Sequence, residues 1–172
     1  MIRVFIYFIL CVISFDISAQ VFPVNPNNFD SDRKKTGTWT ILFDSNWNHT
    51  DKIDSVKYYR VINYNKGLPK GKVSDYYISG KKQWEGYLLS DYPEEILDNT
   101  STFYNMDTTI SQILNYKHGE LDGLSIYNDT IGKKFIELGF IKGDIKSLNY
   151  CDLSKGKFAN ILELIDNFPF EK

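Results

Sequence analysis

Side chains able to do covalent or acid–base chemistry are few in this chain, and they are scattered. There are two histidines, His49 and His118, both in polar, turn-like contexts, and two cysteines, Cys11 and Cys151. A zinc site built on Cys-x-x-Cys spacing needs more thiolates than this. A Cys151–His118 nucleophile pair would need an activated, accessible thiol. Cys151 instead sits in the apolar-leaning run Leu148-Asn149-Tyr150-Cys151 and reads as a small buried hydrophobe. Gly67-Leu68-Pro69-Lys70-Gly71-Lys72 carries glycine and lysine, but not the spacing or the following Ser/Thr of a phosphate-cradling loop. Paired carboxylates occur at Glu94-Glu95 and at Glu120 with Asp122. A glycosidase must hold two such groups across a cleft with separated pKa values, whereas acids in turns are usually just solvated. The expectation is a protein with no catalytic residue, no cofactor and no metal ligand.

Aromatic residues are the better lead. Tyr58, Tyr59, Tyr64, Tyr76, Tyr77, Trp84, Tyr87, Tyr116, Tyr127 and Tyr150 recur along segments that read as strands. Such rings fill a thin core, and they are also the residues favoured at binding interfaces. In Tyr58-Tyr59 and Tyr76-Tyr77 adjacent rings must point to opposite faces of a sheet. One ring of each pair is thus available for binding. Tyr59, Tyr77, Trp84 and Tyr87 are the expected binding face.

Those rings are positioned by a repeat. Gly67, Gly71, Gly80, Lys81, Lys82 and Glu85 recur 52 residues later as Gly119, Gly123, Gly132, Lys133, Lys134 and Glu137, and Tyr64 recurs as Tyr116. Fixed-period self-similarity marks a repeat architecture. The glycines are expected in turns, because a residue without Cβ adopts φ > 0 freely. Between them lie strand patterns. Trp39, Ile41 and Phe43 share one face by period-2 alternation, as do Ile136, Leu138 and Phe140. Tyr58, Ile62 and Tyr64 share another, with Arg60 as a polar exception. Shorter echoes (Tyr116-x-x-Gly119, then Phe140-x-x-Gly143) split the period into two units plus an insertion placed at Asp91 to Asp98. The turn glycines are lost near Ser90 and Asn99.

The ends differ from the middle. Arg3, then the apolar run Val4 to Phe15, then Ile17-Ser18-Ala19 form the layout of a secretory signal peptide over 1–19. The apolar run falls short of the roughly 20 residues a membrane span needs, so no transmembrane helix is expected in the mature chain. Export to a periplasmic, envelope-associated or secreted location follows. Residues 20–36, rich in Asn and Pro, read as an extended leader, and 37–157 as the repeat domain. Phe158 to Ile165 has apolar residues at helical spacing, so 158–172 is expected to hold a short capping helix and tail. A formal net charge of −2 argues against a nucleic-acid partner.

The pattern Tyr64-x-x-Gly67-x-x-x-Gly71, continuing through Tyr76-Tyr77-x-x-Gly80 to Gly86-Tyr87, resembles MORN repeats, most closely the divergent bacterial type labelled YwqK-like antitoxin. The stretch from Tyr116 to Gly139-Phe140 is similar. The resemblance implies an all-β fold of consecutive antiparallel hairpins in an elongated, twisted sheet. It also implies a non-catalytic scaffold or binding module whose partner is a protein or envelope component. The alternative is an antitoxin or immunity-type protein that neutralises a toxin by direct binding.

Overall fold

A computed structural model describes residues 22–23, 26–129, 131–152 and 157–160. Glycine-punctuated alternation produces a single antiparallel sheet of 13 strands in which neighbours in sequence are neighbours in space. The strands are β1 (Asn28–Phe29), β2 (Lys35–Phe43), β3 (Tyr58–Asn65), β4 (Leu68–Pro69), β5 (Lys72–Tyr77), β6 (Lys82–Ser90) and β7 (Ile96–Tyr104). They continue as β8 (Ile110–Lys117), β9 (Glu120–Leu121), β10 (Gly123–Asn128), β11 (Lys134–Ile141), β12 (Asp144–Asp152) and β13 (Lys157–Asn160). Short β4 and β9 pair back on β3 and β8, off the main path. The expectation of an all-β train of consecutive hairpins is met.

The 52-residue offset is a repeat of backbone geometry. Tyr58 pairs with Tyr77 and Val61 with Ser74, while Ile113 pairs with Ile126 and Gln112 with Tyr127; each pairing of β3 with β5 has the register of β8 with β10. Val73 opposite Gly86 becomes Ser125 opposite Leu138. Even the bulge recurs, at Asp75/Tyr76 and at Tyr127/Asn128. All six predicted turn glycines (Gly67, Gly71, Gly80, Gly119, Gly123 and Gly132) have φ between 78° and 103°.

Two turn types explain the spacing. Lys66-Gly67, His118-Gly119 and Lys142-Gly143 are two-residue loops with both residues at positive φ, the geometry whose twist matches a hairpin. Each tip glycine donates its N–H to the preceding strand or the short run beside it, at Lys35, Leu97 and Leu121. The second type opens on Asp or Asn, or in one case on Tyr77, and places its fourth residue at positive φ: Arg33, Trp47, Gly80, Thr108 and Gly132. In three of these turns the opening carboxylate, from Asp30, Asp44 or Asp129, accepts two backbone N–H groups of its own loop.

The core is uneven. Ile62, Tyr64, Val73, Trp84 and Leu88 form its buried centre, with Trp39, Ile41, Leu97 and Phe103 packed against them. All lie on one face of β2 to β7, termed here the core face. Burying each such side chain contributes about 1.5–3 kcal/mol. Further along, buried side chains thin out to the small Ser101, Leu114, the small Ser125 and Phe140.

Two expectations change. The leader is not merely extended: Asn28–Phe29 pair with Lys35–Thr36 and so extend the sheet. Asn27 works as a surrogate strand residue, accepting from Thr40 N–H through Oδ1 (2.9 Å) and donating to Thr40 C=O through Nδ2 (3.1 Å). It thereby covers part of the β2 edge, where an open strand would invite pairing. At the other end, Lys157–Asn160 pair with β12 as a strand, so the helix expected from Phe158 does not begin there. The remainder of that helix, 161–172, lies outside the described residues, as does the signal segment 1–19. Cys151 lies in β12 as expected.

Candidate functional site: an aromatic cleft around a buried arginine

Arg60, the polar exception of β3, is the centre of the most developed site. Register places it opposite Asp75 of β5 and Ile41 of β2, on the core face. Its Nε donates to Asp75 Oδ1 (2.7 Å) and its Nη2 to Asp75 Oδ2 (2.9 Å), a bidentate pair with both side chains nearly inaccessible to solvent. Its Nη1 donates to Glu95 Oε1. The guanidinium carbon lies 5.6 Å from the ring centroids of both Phe43 and Trp84. Burial opposes the Arg60 charge, but the hydrogen bonds and attraction of Asp75, and then of Glu95, outweigh it and hold the group above its ordinary pKa. Burial pushes the Asp75 carboxyl up, against the pull of Arg60.

Glu95 arrives by an unexpected route. Of the expected Asp91 to Asp98 insertion, 91–95 form a strap over the core face and the rest belongs to β7. The strap's first carboxylate, Asp91, accepts from the Tyr64 hydroxyl and from Lys35 Nζ (3.3 Å). Burial, and then the Asp91 carboxylate, raise the Tyr64 phenol well above its usual range. Another carboxylate of the strap, Glu95, reaches Arg60. Its side chain stays 46% exposed, and Oε2 accepts no hydrogen bond from a described residue.

Around this floor stand Phe43, Trp47, Trp84, Leu97 and Phe103, enclosing with Gln83 a cleft of about 420 Å³. Trp47 stacks on Tyr58 at 4.4 Å and 9° and remains 39% exposed. It holds φ 62° at a turn position that Gly80 and Gly132 occupy elsewhere. A bulky residue there costs on the order of 1 kcal/mol or more.

The expected binding face is divided. Tyr58 pairs with Tyr77 and Tyr59 with Tyr76. Tyr77 and Trp84 therefore share the core face with Arg60, while Tyr59 and Tyr87 lie on the opposite one. Tyr59 is buried, stacked on Tyr76 at 4.9 Å. Tyr77 donates to the Tyr104 carbonyl (3.2 Å) and flanks Tyr58. Trp84 is the one member of the four that lines the cleft, as a buried wall. Sequence reasoning missed Phe43, Trp47, Asp75 and Phe103 as site residues. The available signal was Arg60, a charge on an otherwise apolar strand face.

Among the described residues, no group of three or more His, Cys, Asp or Glu side chains could hold a metal ion, and no helix is long and apolar enough to cross a membrane. A search of protein-family models, curated proteins and solved structures finds no significant match to this chain.

Proposed function

We propose that this chain is an exported, non-catalytic, MORN-like repeat protein that binds a protein or envelope component through the cleft of Phe43, Trp47, Trp84 and Phe103. The observation that carries the reading is Trp47. A left-handed turn position held by Gly80, Gly132, Arg33 and Thr108 in the equivalent turns here holds an indole, stacked on Tyr58 at the mouth of the cleft. Local strain of this kind persists where the surroundings enforce it, and it concentrates at ligand-contacting positions. The non-catalytic part rests on the acids of the cleft: Asp75 and Glu95 both accept from Arg60, which leaves no separated acid and base of the kind hydrolysis requires among the described residues lining it.

The test is affinity capture from extract of the protein's own organism with the full chain. Wild type and Tyr127→Ala, altered in the second repeat, should retain one specific partner, and Trp47→Gly should lose it while keeping its far-UV spectrum. A partner that Trp47→Gly still captures would remove the cleft from the reading. The partner's identity, toxin or envelope component, decides between immunity and scaffold roles.

A further inference from the structure

Resting on that reading, we propose that the cleft accepts a basic side chain of the partner, a guanidinium or ammonium on an aliphatic stem. The argument is one of charge and surface. The charged groups lining the cleft are Arg60, Asp75 and Glu95, one cation and two carboxylates, so they sum to −1. The adjoining Lys35 and Asp91 form a pair of opposite charges and leave that sum unchanged. An anionic ligand would meet a net negative floor.

The walls point the same way. Four of the lining side chains are aromatic, and the face of an aromatic ring attracts cations. The site already demonstrates this preference on itself, since Arg60 is held between Phe43 and Trp84. What remains for a ligand is Glu95 Oε2 at the rim, without a described donor, beside the exposed part of Trp47. An aliphatic stem would lie along Leu97 and the rings while its charged head reaches Glu95. A cavity of about 420 Å³ is near the lower end of ligand-pocket sizes, and one long side chain fits it.

The experiment is calorimetric titration of the full chain with N-acetyl-argininamide, with its neutral isostere N-acetyl-citrullinamide, and with methyl glucoside. Saturable binding of the argininamide is expected, weakened by added salt. Glu95→Gln, a change at a half-exposed side chain, should weaken it about tenfold. The citrulline compound should bind at least tenfold more weakly than the argininamide, and the sugar not at all. Equal binding of the citrulline compound, or tighter binding of the sugar, would show that the cleft reads shape and overturn the inference. No saturation by the argininamide, with the partner still captured in a Trp47-dependent way, would overturn it and leave the binding role standing. Argininamide binding together with Trp47-independent capture would do the reverse.

Discussion

The two copies of the repeat share a backbone and differ in what they place on it. Position by position, Arg60, Val73, Asp75, Trp84 and Gly86 of the first become Gln112, Ser125, Tyr127, Ile136 and Leu138 of the second, in the same registers. The shared turns and bulges are enough to build the sheet. The first copy then adds a buried ion pair, a large indole and a glycine that makes room for it. The lesson is that hairpin geometry and site chemistry are separable in this fold: the glycines set the former, and a handful of residues on the core face set the latter. A half-buried pair that survives in both copies, Lys82–Glu85 and Lys134–Glu137, belongs to the scaffold.

The largest expected effect comes from breaking the ion pair on one side. Asp75→Ala leaves Arg60 buried with only the half-exposed Glu95, and should cost about 3–5 kcal/mol in urea unfolding. Converting the site to the second copy's residues, Arg60→Gln with Asp75→Tyr, should recover more than half of that loss. Equal losses for the single and double variants would mean that the copies are not interchangeable.

Next in size is Gly86. A Cβ built there would lie 2.4 Å from Trp84 Cζ2 and 2.7 Å from Ser101 Oγ, so Gly86→Ala must displace the indole. A loss of about 1–3 kcal/mol is expected, together with a red-shifted tryptophan emission. An unchanged spectrum would show that Trp84 does not depend on the glycine.

Trp47→Gly should separate stability from binding. Relief of left-handed strain, about 1 kcal/mol, offsets the lost stacking on Tyr58, about 0.5–1.5 kcal/mol. The denaturation midpoint should hardly move while partner capture disappears; a large destabilisation would make Trp47 a packing residue.

The smallest effect concerns Glu85. Burial raises its carboxyl, but the hydrogen bonds from Lys82 and Lys72 outweigh that and leave it below the usual glutamate range. A depressed carboxylate stabilises the fold above its unfolded pKa, and that contribution is lost as pH falls through the folded value. Solvent screening keeps it under about 1 kcal/mol. Glu85→Gln should therefore lower stability at neutral pH and flatten the acid limb of a stability–pH curve. A parallel curve would dismiss the pair.

Much of the fold was legible because turn chemistry is local. Gly67, Gly71 and Gly80 declare their positive φ by residue type, and their recurrence declares the period. Asn99 was less visible: it lies where glycine is missing, yet it takes φ 58°, which asparagine tolerates. The site was harder to read. Alternation says that Tyr58 and Tyr59 part company, but which of them faces Tyr77 depends on strand register, and a one-residue slip reverses the answer. Glu95 sat in a segment that reads only as an interruption, because nothing local says that a strap crosses the core face. Trp47 was hidden for a different reason: its backbone contradicts its residue type, and propensity rules fail at such positions by construction.

The unbranched order of the sheet has a mechanical consequence. Because β1 and β13 lie at opposite ends of the strand order, tension applied to the two ends runs across the strands and loads their hydrogen bonds in series, one ladder at a time. Such a sheet peels at low force, whereas one whose strands are sheared lengthwise resists until many bonds fail together. Single-molecule extension should record a staircase of small steps, with the largest where Arg60 and Asp75 tie β3 to β5. In the exported role proposed above, that would make it a compliant spacer, soft along its length and stiffest at the proposed cleft.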